Sequence, residues 1–237
     1  MKVRIQFDKR GTIRFTSHKD VMRIFERAFA AGGVPVAFSE GFHPHVRMSF
    51  GPPLKTGWES LEEYMDVQLE TPIDDLAAAV NPKLPDGLRV TRVVPIDDRA
   101  PKLAVDIVAV AMEVVIETDD AIAAGAPQGS NGNGAGADAS AISSAISNRF
   151  LNTPSAVSSD PRVLEADVVP HEGTLRIRYT STMDNGRIVT PDTLVSATIG
   201  DPASFRVPVK VTRLAQFVSR DGRHVSPIDQ GAVQAAS

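Results

Sequence analysis

Within the first 98 residues the spacing of apolar side chains switches between two residues and three-to-four in an order that few architectures accommodate. Val3, Ile5 and Phe7 alternate with Arg4, Gln6 and Asp8, the period of a half-buried strand. Ile13 and Phe15 alternate with Arg14 and Thr16 after a turn or bulge at Lys9-Arg10-Gly11-Thr12, which predicts a second short extended piece. Ser17-His18-Lys19-Asp20 then reads as a helix start, with Ser17 as N-cap and Asp20 in the first turn. Val21, Ile24, Phe25, Ala28 and Phe29 form its apolar stripe as far as about Ala31, and Gly32-Gly33 ends it. A short strand is expected at Val34–Phe38, a clearer one at Leu61–Glu70, a helix from Pro72 to near Pro82 and a strand at Leu88–Val94.

That order, β-α-β-β-α-β, is the ferredoxin-like pattern, an antiparallel sheet with two helices on one face. The second half repeats it: strand 108–117, helix 138–151 around Ala141, Ile142, Ala145, Ile146 and Phe150, strands 162–169 and 174–180, a helix opened by Thr190-Pro191, and a last strand 207–218. The expected architecture is therefore α+β, two tandem ferredoxin-like (βαββαβ) units with antiparallel sheets. They span 1–98 and 103–218, divided at Pro95–Lys102. The Gly/Ala/Asn-rich stretch at about 121–137 suits a flexible insertion, and 219–237 a disordered tail.

The chain has no cysteine, so it forms no disulfide and offers no thiolate to zinc, an iron–sulfur cluster or catalysis. No apolar run approaches the ~18 residues of a membrane span, and the strand-like N-terminus lacks a signal peptide's apolar stretch. No membrane association is expected, and the compartment read from these features is the cytoplasm. The net charge of −4 is unevenly distributed. Residues 1–50 carry nine Lys/Arg against four acids, while the rest carries sixteen against twenty-five. A basic head on an acidic body gives a local positive surface. Lys19, Arg23 and Arg27, at i, i+4 and i+8, form a basic row on the first helix.

The stretch Phe38–Gly57 combines two of the five histidines and three of the ten phenylalanines with dense glycine and proline. It reads as an ordered loop. Three chemistries compete for it. The basic row, Arg4 and Arg14 from the strand face, and Arg47 and Lys55 from the loop would follow a phosphate backbone, with Phe42, His43 and His45 stacking on unpaired bases. Alternatively, His18 with His43 or His45 would act as the acid–base pair of a metal-independent ribonuclease. As a third option, His43-x-His45 would join Glu40, Asp20 or His18 around a metal. The plainer readings are that His18 helps cap the helix, that His43 and His45 orient the loop, and that Phe38, Phe42 and Phe50 pin it to the core, a reading favoured over stacking for Phe38 and Phe50. His171 and His224 read as surface residues. No phosphate loop, dinucleotide fingerprint, nucleophile elbow or paired metalloprotease histidines occur.

Lys9–Arg23, Arg27-Ala28, Pro35–His45, Ser49–Leu54 and Glu59–Val67 closely resemble the radical SAM-linked protein family, a domain of unknown function. The resemblance runs over roughly residues 1–215 and is most distinctive in the first 70. It implies a radical SAM protein as partner, which would carry the iron–sulfur cluster and S-adenosylmethionine; no cofactor or metal is expected on this chain. Lys19 departs from the leucine usual there, and the insertion between 120 and 137 is extra. The layout also resembles that of CRISPR repeat-processing endoribonucleases, an analogy of fold alone. The reading that follows is a non-catalytic RNA-binding accessory module, with an RNA such as tRNA or rRNA as second partner. Its contact residues are Arg14, His18, Lys19, Arg23, Arg27, Phe42, His43, His45, Arg47 and Lys55. The alternatives are the ribonuclease and a protein-interaction scaffold that binds no RNA.

Overall fold

The computed structural model describes residues 1–117, 160–171, 174–184, 187–194 and 209–229. The protein is α+β with mostly antiparallel strand pairing. It divides into two units, Met1–Val110 with Asp184–Gly186 and Thr212–Ser237, and Ala111–Met183 with Arg187–Val211. Among the described residues no helix is long and apolar enough to cross a membrane.

The first unit is built on β1 (Lys2–Lys9), α1 (His18–Ala31), β2 (Met48–Phe50), β3 (Glu59–Gln68), α2 (Leu76–Val80) and β4 (Leu88–Ile96). β1 lies between β4 and β3, antiparallel to both, and β2 pairs antiparallel with β3. The register Val3↔Val67, Ile5↔Met65 and Phe7↔Glu63 puts odd-numbered residues of both strands on one face. That face meets Val21, Phe25, Ala28 and Phe29 of α1. Phe25 is the hub, with ring centroids 4.9 Å from Phe7 and 5.9 Å from Phe29. Burying each ring contributes about 1.5–3 kcal/mol. Ser17 caps α1 as its sequence predicts, its Oγ accepting from Asp20 N at 3.2 Å.

The opposite face is covered as well, by the C-terminal segment. β8 (Val209–Arg220) runs parallel to β3 at Glu59↔Thr212 and Ser60↔Arg213, and β9 (Arg223–Val225) folds back on β8. Arg4, 1% exposed, donates to both oxygens of Asp66 and to the carbonyl of Pro227. The Tyr64 hydroxyl lies 3.2 Å from the Ser226 hydroxyl, and Ile228 is buried. The short helix α3 (Leu103–Asp106) adds Leu103 to the buried residues, and Arg220 holds Asp106 at 2.7 Å.

Several expectations need correction. The extended piece at 12–16 is a 3-10 turn, Gly11–Phe15, because Gly11 turns the chain at φ +63° and its N–H is held by Glu59. The strand expected at Val34–Phe38 makes only isolated bridges, Val36↔Leu69 and Phe38↔Val46; proline lacks a ladder donor, and the edge strand forms later, at β2. The expected helix from Pro72 is shorter, starting at Asp75, whose carboxylate accepts from Ala78 N. The first unit ends within β5 (Ile107–Glu117) and takes up the chain again at Asp184–Gly186 and from Thr212 within β8. Residues 219–229 of the predicted tail are therefore ordered strand, turn and anchor, held by pairing too distant in sequence for periodicity to reveal.

In the second unit β6 (Val163–His171) and β7 (Thr174–Thr182) pair antiparallel. Ile177, Tyr179 and Ser181 are buried while Arg178 points outward to Glu113 at 2.7 Å. The Tyr179 hydroxyl donates to the carbonyl of Val189, and its burial raises its pKa. Residues 191–194 form a helical turn capped by Thr190, whose Oγ1 accepts from Thr193 N at 3.3 Å. The helix predicted at 138–151, the insertion at 121–137 and residues 230–237 lie outside the described residues.

Candidate nucleic-acid interface

The loop after α1 is held by its backbone. Ser39 N donates to His45 O at 2.8 Å and His45 N to Ser39 Oγ at 3.0 Å, closing the tip 40–44. Arg47 N donates to Ala37 O, and Gln68 N to Arg47 O, tying the loop to the end of β3. Gly41, at φ +123°, sits in a region open to glycine at little cost and allows the reversal. The tip therefore presents Phe42, His43 and His45 to solvent, and Phe42 is fully exposed at 102%. Phe38, expected to pin the loop, is 53% exposed. Phe50 does pin it, 6.2 Å from the ring of Phe7.

Lys19, Arg23 and Arg27 are exposed along α1, and Arg47 is exposed on the loop. Arg23 has one weak partner, Asp20 at 3.5 Å, with both side chains open to water. An ion pair of that kind contributes about 0–1 kcal/mol, so Arg23 is free to change partner. Three expected contacts are engaged elsewhere. Arg14 bridges Glu59 at 3.3 Å and stacks over Phe15 at 4.5 Å. Lys55 is exposed but lies over the Trp58 ring at 5.5 Å. Arg4, assigned above to a phosphate-binding strand face, is sealed inside with Asp66.

His18 belongs to a different environment. Its ring packs edge-on against Phe50 at 5.1 Å. It lines a cavity of about 20 Å³ with Phe7, Lys9, Val21, Gly51, Leu54 and Glu63. That is room for about one water. Glu63, 8% exposed, accepts from Arg213 Nη1 at 2.9 and 3.2 Å. Arg213 also donates to the carbonyls of Pro52 and Pro53. Lys9, 3% exposed, donates to the carbonyl of Thr16 at 2.9 Å. Burial lowers the pKa of both His18 and Lys9, with Glu63 opposing the shift in each case. Pairing and covered geometry make this cluster a device that seats the first turn of α1.

His45 lines another cavity, with Glu26 and Ala30. Those residues lie eight and twelve positions beyond His18, about 12–18 Å along the helix axis. His18 and His45 thus line different cavities. Among the described residues no group of three or more His, Asp or Glu side chains is placed to hold a metal, so His43 and His45 lack the third ligand considered for them. The Lys9–Glu63–Arg213 cluster went unseen because the sequence signals burial of charge only through the alternation that puts Lys9 and Glu63 on the core face.

Residues 2–155 match the family described as "Uncharacterized protein conserved in bacteria (DUF2344)". The chain belongs to that family. No curated protein matches this member of it. Among solved structures, "Crystal Structure of an Unknown Protein from Galdieria sulphuraria" is 11% identical, covering 90% of this chain and 97% of its own at a TM-score of 0.25. A "putative glycine cleavage system transcriptional repressor" is 8% identical, covering 92% and 98% at a TM-score of 0.23. Likenesses that low leave the fold of this DUF2344 chain to be read from its strand pairing alone.

Proposed function

We propose that the chain is an RNA-binding accessory module that works with a separate radical SAM enzyme, and that its two units are tandem ferredoxin-like folds. The observation that carries the RNA reading is the surface of α1. Lys19, Arg23 and Arg27 stand exposed in one row, next in sequence to a rigidly tied loop that holds Phe42 fully in water. Exposed cations with weak or no local partners suit phosphates, and a presented ring suits an unpaired base. Within the first unit the run β4-β1-β3-β2 is antiparallel, which supports the ferredoxin-like half of the reading, with β8 added parallel to β3. The radical SAM partner follows from the resemblance at Lys9–Arg23 and Pro35–His45, and a chain without cysteine would leave the cluster to that partner.

Binding of a labelled single-stranded RNA, measured across a salt series, tests the RNA reading. If Lys19, Arg23, Arg27 and Arg47 each neutralise one phosphate, log K falls with log salt at a slope of about −3. Reversing Arg23 and Arg27 together to Glu lowers affinity about a hundredfold or more and flattens the slope. Unchanged affinity in that double variant overturns the proposal. Co-purification with a radical SAM protein that survives nuclease treatment, together with no RNA affinity, replaces it with the scaffold reading.

A further inference from the structure

Beside the basic row lies a groove of about 330 Å³, lined by Glu26 and Ala30 of α1, Val34 and Val36 after it, and Phe38, Pro44, His45 and Val46 of the loop. Its volume is at the low end for a small-ligand site, enough for one flat ring system. Its walls are apolar or aromatic, with Phe38 and His45 both open to solvent at the rim. One wall carries a carboxylate. Glu26 is half-buried and has no hydrogen-bond or ion-pair partner among the described residues. Three- and four-residue steps bring Glu26 and Ala30 to the side of α1 that carries Lys19 and Arg23.

We infer that this groove takes a single unstacked guanine of the bound RNA, an inference that rests on the RNA reading above. A carboxylate has two acceptor oxygens and no donor. Among the four bases only guanine offers two adjacent donors, N1–H and the N2 amino group, on its Watson–Crick edge. Cytosine and adenine place a ring acceptor beside the amino group, and uracil flanks its one donor with carbonyls, so each turns a lone pair toward the carboxylate. Phe38 and His45 supply faces for stacking, the usual way a splayed base is held. The flanking Arg23 and Arg27 offset the repulsion between Glu26 and the phosphates of the same strand.

The test uses the full chain and short labelled oligouridylates that differ at one central position: guanosine, adenosine, cytidine or uridine. The guanosine strand is expected to bind about tenfold more tightly than the other three, the discrimination of one bidentate base contact. Glu26→Gln should erase that preference, so that the guanosine strand binds no more tightly than the other three. Phe38→Ala should weaken the guanosine strand about fivefold or more through lost stacking. No preference in the wild type, or a preference that survives Glu26→Gln, overturns the guanine site. If binding is nevertheless lost on reversing Arg23 and Arg27, the RNA reading stands without the guanine pocket. If no strand binds, both fall.

Discussion

The two ends of α1 treat polar side chains in opposite ways. Where the helix begins, Lys9, Glu63 and Arg213 are almost wholly buried and hydrogen-bonded, and Lys9 and Glu63 line a cavity no larger than a water together with half-covered His18. Toward its other end, Glu26 and His45 line a far larger groove, and Glu26 has no partner among the described residues. Burying a charge is costly unless it is paired, so in the first arrangement these groups are held by protein partners and are not open to a ligand. Leaving charged and aromatic groups unpaired in water costs little, so the second can serve a ligand. A histidine and a basic run look alike in sequence at both ends; burial and pairing separate structure from binding.

The largest effect should come from breaking the closed end. Arg213→Ala leaves Glu63 buried and unpaired and strips the Pro52 and Pro53 carbonyls of their donor. The expected loss is about 3–5 kcal/mol, read as a lower urea midpoint. Replacing both partners, Glu63→Leu with Arg213→Met, should restore the part of it that comes from the unpaired carboxylate, while the Pro52 and Pro53 carbonyls stay without their donor. RNA affinity of the folded double variant should match that of the wild type. A folded double variant that has lost RNA binding would mean that the closed end also contacts the ligand.

Much of this contrast was beyond the sequence, for reasons specific to each element. β1, α1, β3 and β4 were legible because their apolar periods repeat over eight or more residues and Ser17 marks a start. Ile13 and Phe15 alternated over too few residues to weigh against a turn at Gly11, and Phe15 ends 61% exposed. Arg4 alternated as a solvent-facing residue should, and it would face solvent had Ser226–Ile228 not come back across the sheet more than two hundred positions later. That same return rules out the sheet face as an open platform for bases and leaves α1 and its loop to carry the binding surface. Lys19, Arg23, Arg27 and Phe42 were legible as candidates because exposed residues obey local spacing alone.

A smaller effect distinguishes the ends by pH. Burial holds the His18 imidazole below its ordinary pKa of 6.5, while Glu63 pulls it up and Lys9 pushes it further down. The unfolded chain therefore takes up a proton first as pH falls. The stability contributed by neutral His18 is complete above pH 6.5, begins to be lost as pH passes below it, and is gone once the folded-state value is crossed. The wild-type urea midpoint should drop between pH 7.5 and 5.5, and His18→Gln should drop less. Equal slopes in the two proteins would show that His18 is not held neutral by its site.

The smallest expected change in stability is at Arg23, and it sharpens the comparison most. Its pair with Asp20 is 3.5 Å long, with side chains 65% and 51% exposed. Arg23→Ala should shift stability by no more than about 0.5 kcal/mol, since an exposed i,i+3 pair is screened and mobile. The same substitution removes one of four cations assigned to phosphate, so the slope of log K against log salt should decrease by about 0.7. Thermal melts and a salt series on one preparation read both quantities. A marked loss of stability with an unchanged salt slope would reassign Arg23 to the helix itself, and the exposed row of α1 would then belong with its buried start.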